Sequence, residues 1–334
     1  MSNANLNPYK QLWRSRLVDY IPCAVFGLLL IALPTFLPPY LQAMATKFLI
    51  FAIFAMSLDL IFGYTGLWSL GHAAYFGMAG YTFGILVYRY GVESFWLAAL
   101  AGILAAAVLA ACFGIFALRT TGLYFMMVTF ALGVLLYKIA LGWFGMTGGY
   151  AGLFIPYADF GIPWFTWSDI SIYYLAFAAF VISYFILHRI VNSPFGHALQ
   201  GIRDDEHRMR HLGYNTWLYK YLAFIIAGLF AGIAGVIYVP FNRVLVPEQI
   251  GFITSILPML YVIIGGTGTL FGGVIGAAVI IFVDFGASLY APERWPLILG
   301  GFFILVIMFL PKGVAPYLVR LWNRVKLRYS YGSS

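Results

Sequence analysis

Long apolar runs separated by short polar stretches dominate the chain. A helix needs about 20 apolar residues to cross a bilayer, so most of these runs predict membrane-spanning helices. The eighth run is too short to cross alone, and we predict that it is half of a broken helix ending at Gly265-Gly266. The third run is rich in glycine at its start, which leaves its first turns uncertain. The ten runs lie near residues 18–38, 42–62, 66–88, 93–118, 121–143, 172–191, 218–241, 251–264, 267–289 and 296–311.

Composition supports the same fold class. Of the 334 residues, 63% are hydrophobic and 9% are charged, whereas soluble domains carry about 25% charged residues. So few charges cannot cover a surface that faces water. The sequence therefore predicts an all-α integral membrane protein of about ten transmembrane segments, some of them broken or re-entrant, with no separate soluble domain.

The distribution of Lys and Arg predicts the orientation. If the N-terminus is cytoplasmic and ten segments follow, fourteen of the 19 basic residues face or adjoin the cytoplasm, as the positive-inside rule requires. This places residues 1–17 in the cytoplasm as an N-terminal segment, 18–312 in the transmembrane domain and 313–334 in a basic cytoplasmic tail. The loop between 145 and 171, rich in aromatic residues, glycine and proline, is predicted to lie outside.

One stretch departs from the apolar pattern. Arg203 to Arg210 places six charged side chains in eight positions, in a chain that has 19 basic and 11 acidic residues. Ser193 suits a helix N-cap and Pro194 the first helical position. Gly213 stands where a helix end often needs a left-handed residue. An apolar stripe of helical spacing joins these ends, so we predict one short amphipathic helix; the stripe is Phe195, Leu199, Ile202, Met209 and Leu212.

Two interpretations of this helix are open. It could lie on the membrane surface, or it could dock a soluble protein. An excess of Lys and Arg would favour anionic lipid. Here Asp204, Asp205 and Glu206 balance Arg203, Arg208 and Arg210, and a balanced face favours a protein partner.

Three blocks of sequence carry a family resemblance. They are GYTGLWSLGHAAYFGMAGY (Gly63–Tyr81), the run from SPFGHALQGIRDDEHRMRHLGYN to GIAGVIY (Ser193–Tyr238), and MLYVIIGGTGTLFGGVIGA (Met259–Ala277). Together they resemble the branched-chain amino acid ABC-importer permease family, the LivM/LivH type. Their order and spacing fit the LivM member better than LivH.

The resemblance implies an ABC-importer permease fold in a bacterial plasma (inner) membrane, with both termini cytoplasmic. It also implies partners: a second homologous permease in a heterodimer, two cytoplasmic ABC ATPase subunits and a periplasmic substrate-binding protein. Residues 193–217 would form the cytoplasmic coupling-helix loop, seated in an ATPase groove. The residues expected to couple this chain to the ATPase are Leu199, Ile202, Arg203, Asp204, Asp205, Glu206 and Gly213.

The chain itself is not expected to be an enzyme or to hold a cofactor. GGTGTLFGG supplies glycines but lacks the Gly-Lys-Ser/Thr of a P-loop. The five His and two Cys show no metal-ligand spacing. ATP and Mg would therefore bind to the partner subunits.

The resemblance implies branched-chain or other small amino acids as substrates. Urea or short-chain amides are the alternative, because importers of the same family share these blocks. An ion-coupled secondary transporter is the alternative from another class. Such a transporter would favour carboxylates paired with basic groups inside the membrane, and this chain has few.

Two glycine clusters supply candidates for the substrate path. Small residues let membrane helices pack closely, but paired helix breaks near the middle of a membrane also expose backbone groups that bind polar substrates. Asp59 and Asp284 could each make a structural hydrogen bond or take part in the substrate path, and both alternatives are open. Lys47 could extend to the membrane surface. The path candidates are Gly66, Ser69, Gly71, His72, Gly265, Gly266, Thr267 and Gly268.

Overall fold

A computed structural model describes residues 34, 37–161, 167–290, 293–310, 313–315 and 317. The predicted N-terminal segment 1–17, nearly all of the first apolar run and most of the tail 313–334 lie outside the described residues.

The described residues are mostly helical. Two short strands, β1 (Leu153–Phe154) and β2 (Val244–Leu245), pair antiparallel. The α-helices are α1 (Pro39–Phe62), α2 (Ala73–Tyr88), α3 (Phe95–Ala117), α4 (Leu123–Gly142), α5 (Phe144–Thr147), α6 (Asp169–Val191), α7 (Pro194–Asp204), α8 (Glu206–His211), α9 (Thr216–Asn242), α10 (Phe252–Gly265), α11 (Leu270–Tyr290) and α12 (Trp295–Phe309).

Six of these helices, α1, α3, α4, α6, α9 and α11, are long and apolar enough to cross a membrane. The apolar parts of α2, α10 and α12 are shorter, at Ala73–Tyr88, Phe252–Gly265 and Leu297–Val306. The prediction of a mainly helical chain with several helices apolar enough to cross a membrane is therefore confirmed. The count of ten segments stays a prediction, since the first run lies outside the described residues.

The long helices alternate in direction between two ends of the bundle. We call Ser193–Asn215 the connector, because it joins the last turn of α6 to the first turn of α9, and we call this the connector end. Gly114, near the end of α3, packs on Tyr221 and Phe224 of α9, so α3 also ends here. The β1–β2 pair marks the opposite, far end.

Two helices begin inside the bundle rather than at one of its ends. The Ala73 N–H at the start of α2 donates to Ser255 Oγ in the first turn of α10, at 3.1 Å. A non-helical segment, 63–72, therefore runs inward before α2 starts, and it contains the Gly-rich beginning of the third apolar run. At about 1.5 Å per residue, α2 and α10 measure only about 24 and 21 Å.

The helix α10 ends at Gly265, as predicted. Gly266 follows with φ +114°, a conformation that residues with a side chain rarely adopt, and the Gly266 N–H still donates to Val262 O. The eighth apolar run is therefore a helix too short to cross a bilayer, with a glycine break after it.

The far end is held together by an arginine in an unusual conformation. Arg243, just after α9, has φ +61°. Its guanidinium carbon lies 4.6 Å from the ring centre of Tyr157 and 5.1 Å from that of Phe154. These contacts join the aromatic loop that precedes α6 to the end of α9.

Residues at the two ends should be labelled from opposite sides of the membrane. In a background with Cys23→Ser and Cys112→Ser, we expect Asp204→Cys to react with an impermeant thiol reagent from the cytoplasm and Asp159→Cys from outside. Both aspartates are exposed. Ser183→Cys, at a buried position in α6, is the unreactive control. Labelling of 159 and 204 from one side would contradict the alternation.

Candidate functional site

The connector contains two helices, so the prediction of one amphipathic helix was wrong. Ser193 caps α7 as predicted, with its Oγ accepting from the Gly196 N–H at 3.4 Å. Asp205 then adopts an extended conformation, φ −160° and ψ 98°, and interrupts the helix. Its carboxylate accepts from the Arg208 N–H at 3.0 Å and so caps α8. The Arg208 N–H bond holds the pKa of Asp205 below its usual range.

The break divides the predicted apolar stripe. Leu199 and Ile202 on α7 are buried against the membrane domain. Leu212, beyond the break, is 66% exposed, so its place in the stripe was wrong: the turn at Asp205 redirects α8. Gly213 has φ +88°, which confirms the predicted left-handed helix end.

The charges of the connector are paired with one another. Arg203 lies 3.3 Å from Asp204, Arg208 lies 3.5 Å from Asp205, and Arg210 lies 2.6 Å from Glu206. Local pairing therefore accounts for the balance of charge seen in the sequence. Exposed pairs of this kind contribute little to stability, so their main effect is to orient side chains.

Glu206 is the most constrained of these residues. Its Oε1 accepts from Arg210, from Thr216 Oγ1 at 2.9 Å and from Lys220 Nζ at 2.8 Å. Burial would raise the pKa of Glu206, but hydrogen bonds from Lys220 and Arg210, followed by the charge of Lys220 and the Thr216 hydroxyl, outweigh it and lower the pKa to about 2. Glu206 therefore fastens α8 to the first turn of α9.

Arg203 points into the membrane domain rather than away from it. Its Nη1 donates to the carbonyl oxygen of Gly63, the residue that follows α1. The same side chain lies against Gly66 and Gly268, so closely that a Cβ on either would come within 3.0 Å of it. One connector side chain thus contacts both glycine clusters.

The two glycine clusters also bind each other directly. Asp59, in the last turn of α1, is fully buried, and its Oδ1 accepts from the Gly268 N–H at 2.9 Å. A Cβ on Gly63 would collide with both of these groups. Of the two roles open for Asp59, the structure shows the hydrogen bond.

We expected the helix breaks at the two glycine clusters to lie near the middle of the membrane. This was wrong for Gly63, Gly66 and Gly268. The helix α1 has 24 residues, about 36 Å, and so spans a bilayer core before Gly63 is reached. Gly63, Gly66 and Gly268 therefore lie at the connector end. The starts of α2 and α10, which contact each other, lie deeper.

The path candidates fall into two groups. Gly66 and Thr267 are exposed and Gly268 is partly exposed beside Arg203, whereas the others are buried: Ser69, Gly71, His72, Gly265 and Gly266. His72 Nε2 lies 2.8 Å from Ser57 Oγ, and the same Oγ lies 2.7 Å from Phe54 O. Its ring stacks on Phe54. The roles of all these residues in a substrate path stay predictions.

Sequence reasoning missed three residues that position this site. Ser57 and Ser255 are hydroxyl residues inside apolar helices, and no local signal distinguishes them from packing residues. Lys220 was counted only as a cytoplasmic charge. Its spacing of fourteen residues from Glu206 crosses a helix break, so no helical periodicity relates the two.

Comparison with known proteins identifies the family. Residues 40–310 match the family described as branched-chain amino acid transport system / permease component. The chain belongs to this family. The resemblance carried by the three sequence blocks is thereby confirmed, and the chain is a multi-pass membrane protein related to permease components of transport systems.

Individual relatives agree with the assignment. The permease is 30% identical, over 295 residues, to the high-affinity branched-chain amino acid transport system permease protein LivM of Escherichia coli; the match covers 81% of this chain and 69% of LivM. LivM of Salmonella typhimurium gives the same figures. LivH of Salmonella typhimurium is 21% identical over 281 residues, covering 79% of this chain and 90% of LivH.

Adding a methyl group at Gly63 should destabilise the permease. We expect Gly63→Ala to lower the apparent free energy of unfolding by about 1–3 kcal/mol, because it overpacks the contact between Asp59 and Gly268. Thermal unfolding of the purified protein in detergent measures this. Gly286→Ala, where a Cβ meets open space in α11, is the matched control and should cost nothing. Equal behaviour of the two variants would contradict the contact.

Neutralising Glu206 should loosen α8. We expect Glu206→Gln to increase amide hydrogen exchange in residues 206–216, whereas Asp204→Asn, which lies outside the Glu206 cluster, should not. Because its pKa is lowered from 4.5 to about 2, the stabilisation by Glu206 is full above about pH 4.5 and is lost as the pH falls through about 2. Unchanged exchange in Glu206→Gln at neutral pH would refute the role of this cluster.

Proposed function

We propose that this chain is one permease subunit of an ATP-driven importer of branched-chain or other small amino acids. A periplasmic binding protein delivers the substrate, a second, homologous permease completes the pore, and two cytoplasmic ATPase subunits bind and hydrolyse ATP with Mg. The chain spans the bacterial plasma membrane with both termini in the cytoplasm. The connector is the element that these ATPase subunits move.

The observation that carries this proposal is the direction of Arg203. A helix lying on lipid has no need to extend an arginine into the membrane domain. Arg203 binds the carbonyl group that ends α1 and packs against the turn that starts α11. A displacement of α7 would move both glycine clusters at once. A coupling element must transmit its movement to the membrane domain in such a way.

The buried face of α7 supports the same role. Leu199 and Ile202 are buried, so α7 is attached firmly to the membrane domain. The cluster at Glu206 attaches α8 to α9. The opposite face of the connector, with Asp204, Arg208 and Leu212, is exposed and is the surface that an ATPase groove would contact.

Two alternatives give different experimental results. Relatives that import urea or amides would share the connector but not the substrate. An ion-coupled secondary transporter would need no ATPase and would transport with this chain alone. The relatives LivM and LivH are permease proteins of branched-chain amino acid transport systems, which favours the amino acids.

Transport should depend on ATP hydrolysed by a partner and on Arg203. In proteoliposomes containing the whole complex, we expect ATP-driven leucine uptake that disappears when the Walker A lysine of the ATPase is replaced. Arg203→Gln should lower uptake at least about tenfold while leaving ATP hydrolysis in place, because the charged hydrogen bond to Gly63 is lost.

Arg189→Gln is the control for this experiment. Arg189 is an exposed arginine near the same end, in the last turn of α6. The complex with Arg189→Gln should therefore take up leucine normally. Normal coupled uptake by Arg203→Gln would disprove the coupling role of the connector. Uptake by this chain alone, driven by an ion gradient, would replace the proposal with the secondary transporter.

A further inference from the structure

A pair of opposite charges lies within the membrane-spanning region, far from the connector. Lys47 of α1 and Asp284 of α11 approach to 3.5 Å, Nζ to Oδ2. Their side chains are 41% and 30% exposed, so the pair is open on one side. Within the described residues, this ion pair is the one polar contact that either side chain makes.

The open side of the pair faces a cleft of about 210 Å³. Pockets for drug-sized ligands measure about 300–1,000 Å³, so this cleft suits a smaller molecule. Apart from the ion pair and Ser288, its walls are mainly aliphatic and aromatic, formed by Tyr40, Met44, Phe241, Ile281 and Phe285.

The physical cost of this arrangement calls for a function. Charges within a bilayer are expensive, and a pair with spare hydrogen-bonding capacity recovers only part of that cost. The ammonium of Lys47 has three donors and the carboxylate of Asp284 has several acceptor sites. One long contact uses few of these, so a ligand that carries both charges would satisfy the rest.

The location also suits an incoming substrate. Lys47 lies fifteen residues before the end of α1, about 22 Å from the connector end. Asp284 lies fourteen residues after the start of α11, at a similar height. The cleft is therefore in the half of the bundle nearer the far end, which the proposed orientation turns toward the binding protein.

We propose that this cleft binds the zwitterionic head of an apolar α-amino acid. Lys47 receives the carboxylate, Asp284 receives the ammonium group, and the apolar side chain packs against the aromatic wall. The proposal rests on the proposed function and deepens it. It separates amino acids from urea and amides, which carry neither full charge and would leave both residues unsatisfied.

Protection from labelling provides a direct test that does not depend on transport. Ser288→Cys places a thiol on the cleft wall, in a background with Cys23→Ser and Cys112→Ser. In the assembled complex we expect L-leucine to slow the reaction of this thiol with a membrane-permeant maleimide. 3-Methylbutylamine, 4-methylpentanoate and urea, each lacking at least one charge, should protect only at concentrations at least about tenfold higher.

Charge removal distinguishes ligand binding from a purely structural ion pair. Lys47→Met and Asp284→Asn should each raise the leucine concentration needed for protection about tenfold or more. The double variant should need at least as much leucine for protection as the worse of the two single variants. A purely structural pair would behave differently. Each single variant would leave one unpaired charge, the double variant would leave none, and protection by leucine would return to normal in the double variant.

Lys138→Met is the matched control. Lys138 is an exposed lysine near the end of α4, lies over the Tyr137 ring and does not border the cleft, so leucine protection should be unchanged. Failure of leucine to protect, equal protection by urea, or recovery in the double variant would each overturn the cleft proposal.

The same preparation separates this proposal from the proposed function. ATP-driven leucine uptake without protection at residue 288 would refute the cleft and leave the importer intact. Absence of ATP-driven uptake together with protection would refute the importer mechanism and support the cleft as a binding site.

Discussion

One guanidinium group lies where the carbonyl end of α1 meets the turn between α10 and α11. The carbonyl end of α1 binds Arg203 directly, and the break after α10 lies against the same side chain. The C-terminus of a helix carries partial negative charge, so a cation at this point stabilises the end of α1. Residues 63, 203 and 268, which are far apart in the sequence, thereby form one contact, and the rest of the connector is arranged around it.

Breaking helices inside a membrane leaves backbone groups that must be satisfied within the protein, because the bilayer offers no hydrogen-bond partners. This fold satisfies them with isolated side chains. Ser255 accepts from the first N–H of α2, and Thr129 accepts from the Leu70 N–H at 3.3 Å. These polar residues in apolar helices are thus required by the breaks that they serve.

The sequence predicted the parts of this architecture that depend on local signals. Apolar periodicity located the helices, glycine located the breaks after α1 and α10, and Ser193 and Gly213 marked where the connector helices begin and end. It failed at Asp205, because an aspartate is compatible with both a helix interior and a cap, and its neighbours decide which occurs. It also failed for the direction of Arg203, since that depends on a carbonyl group 140 residues away. The meeting of Lys47 with Asp284 was beyond prediction for the same reason.

The helix α1 carries Lys47 near one end and Gly63 just past the other, and most of its surface is buried. A packed helix without a proline or glycine between these two points moves as a rigid rod. The rod between them is about 24 Å long. A tilt of about 5° around its connector end would therefore displace Lys47 by about 2 Å, enough to separate it from a bound carboxylate. The tilt of a single rigid helix would then transmit a conformational change in the cytoplasm to a ligand near the opposite face of the membrane. No chain of side-chain rearrangements between the two sites would be needed.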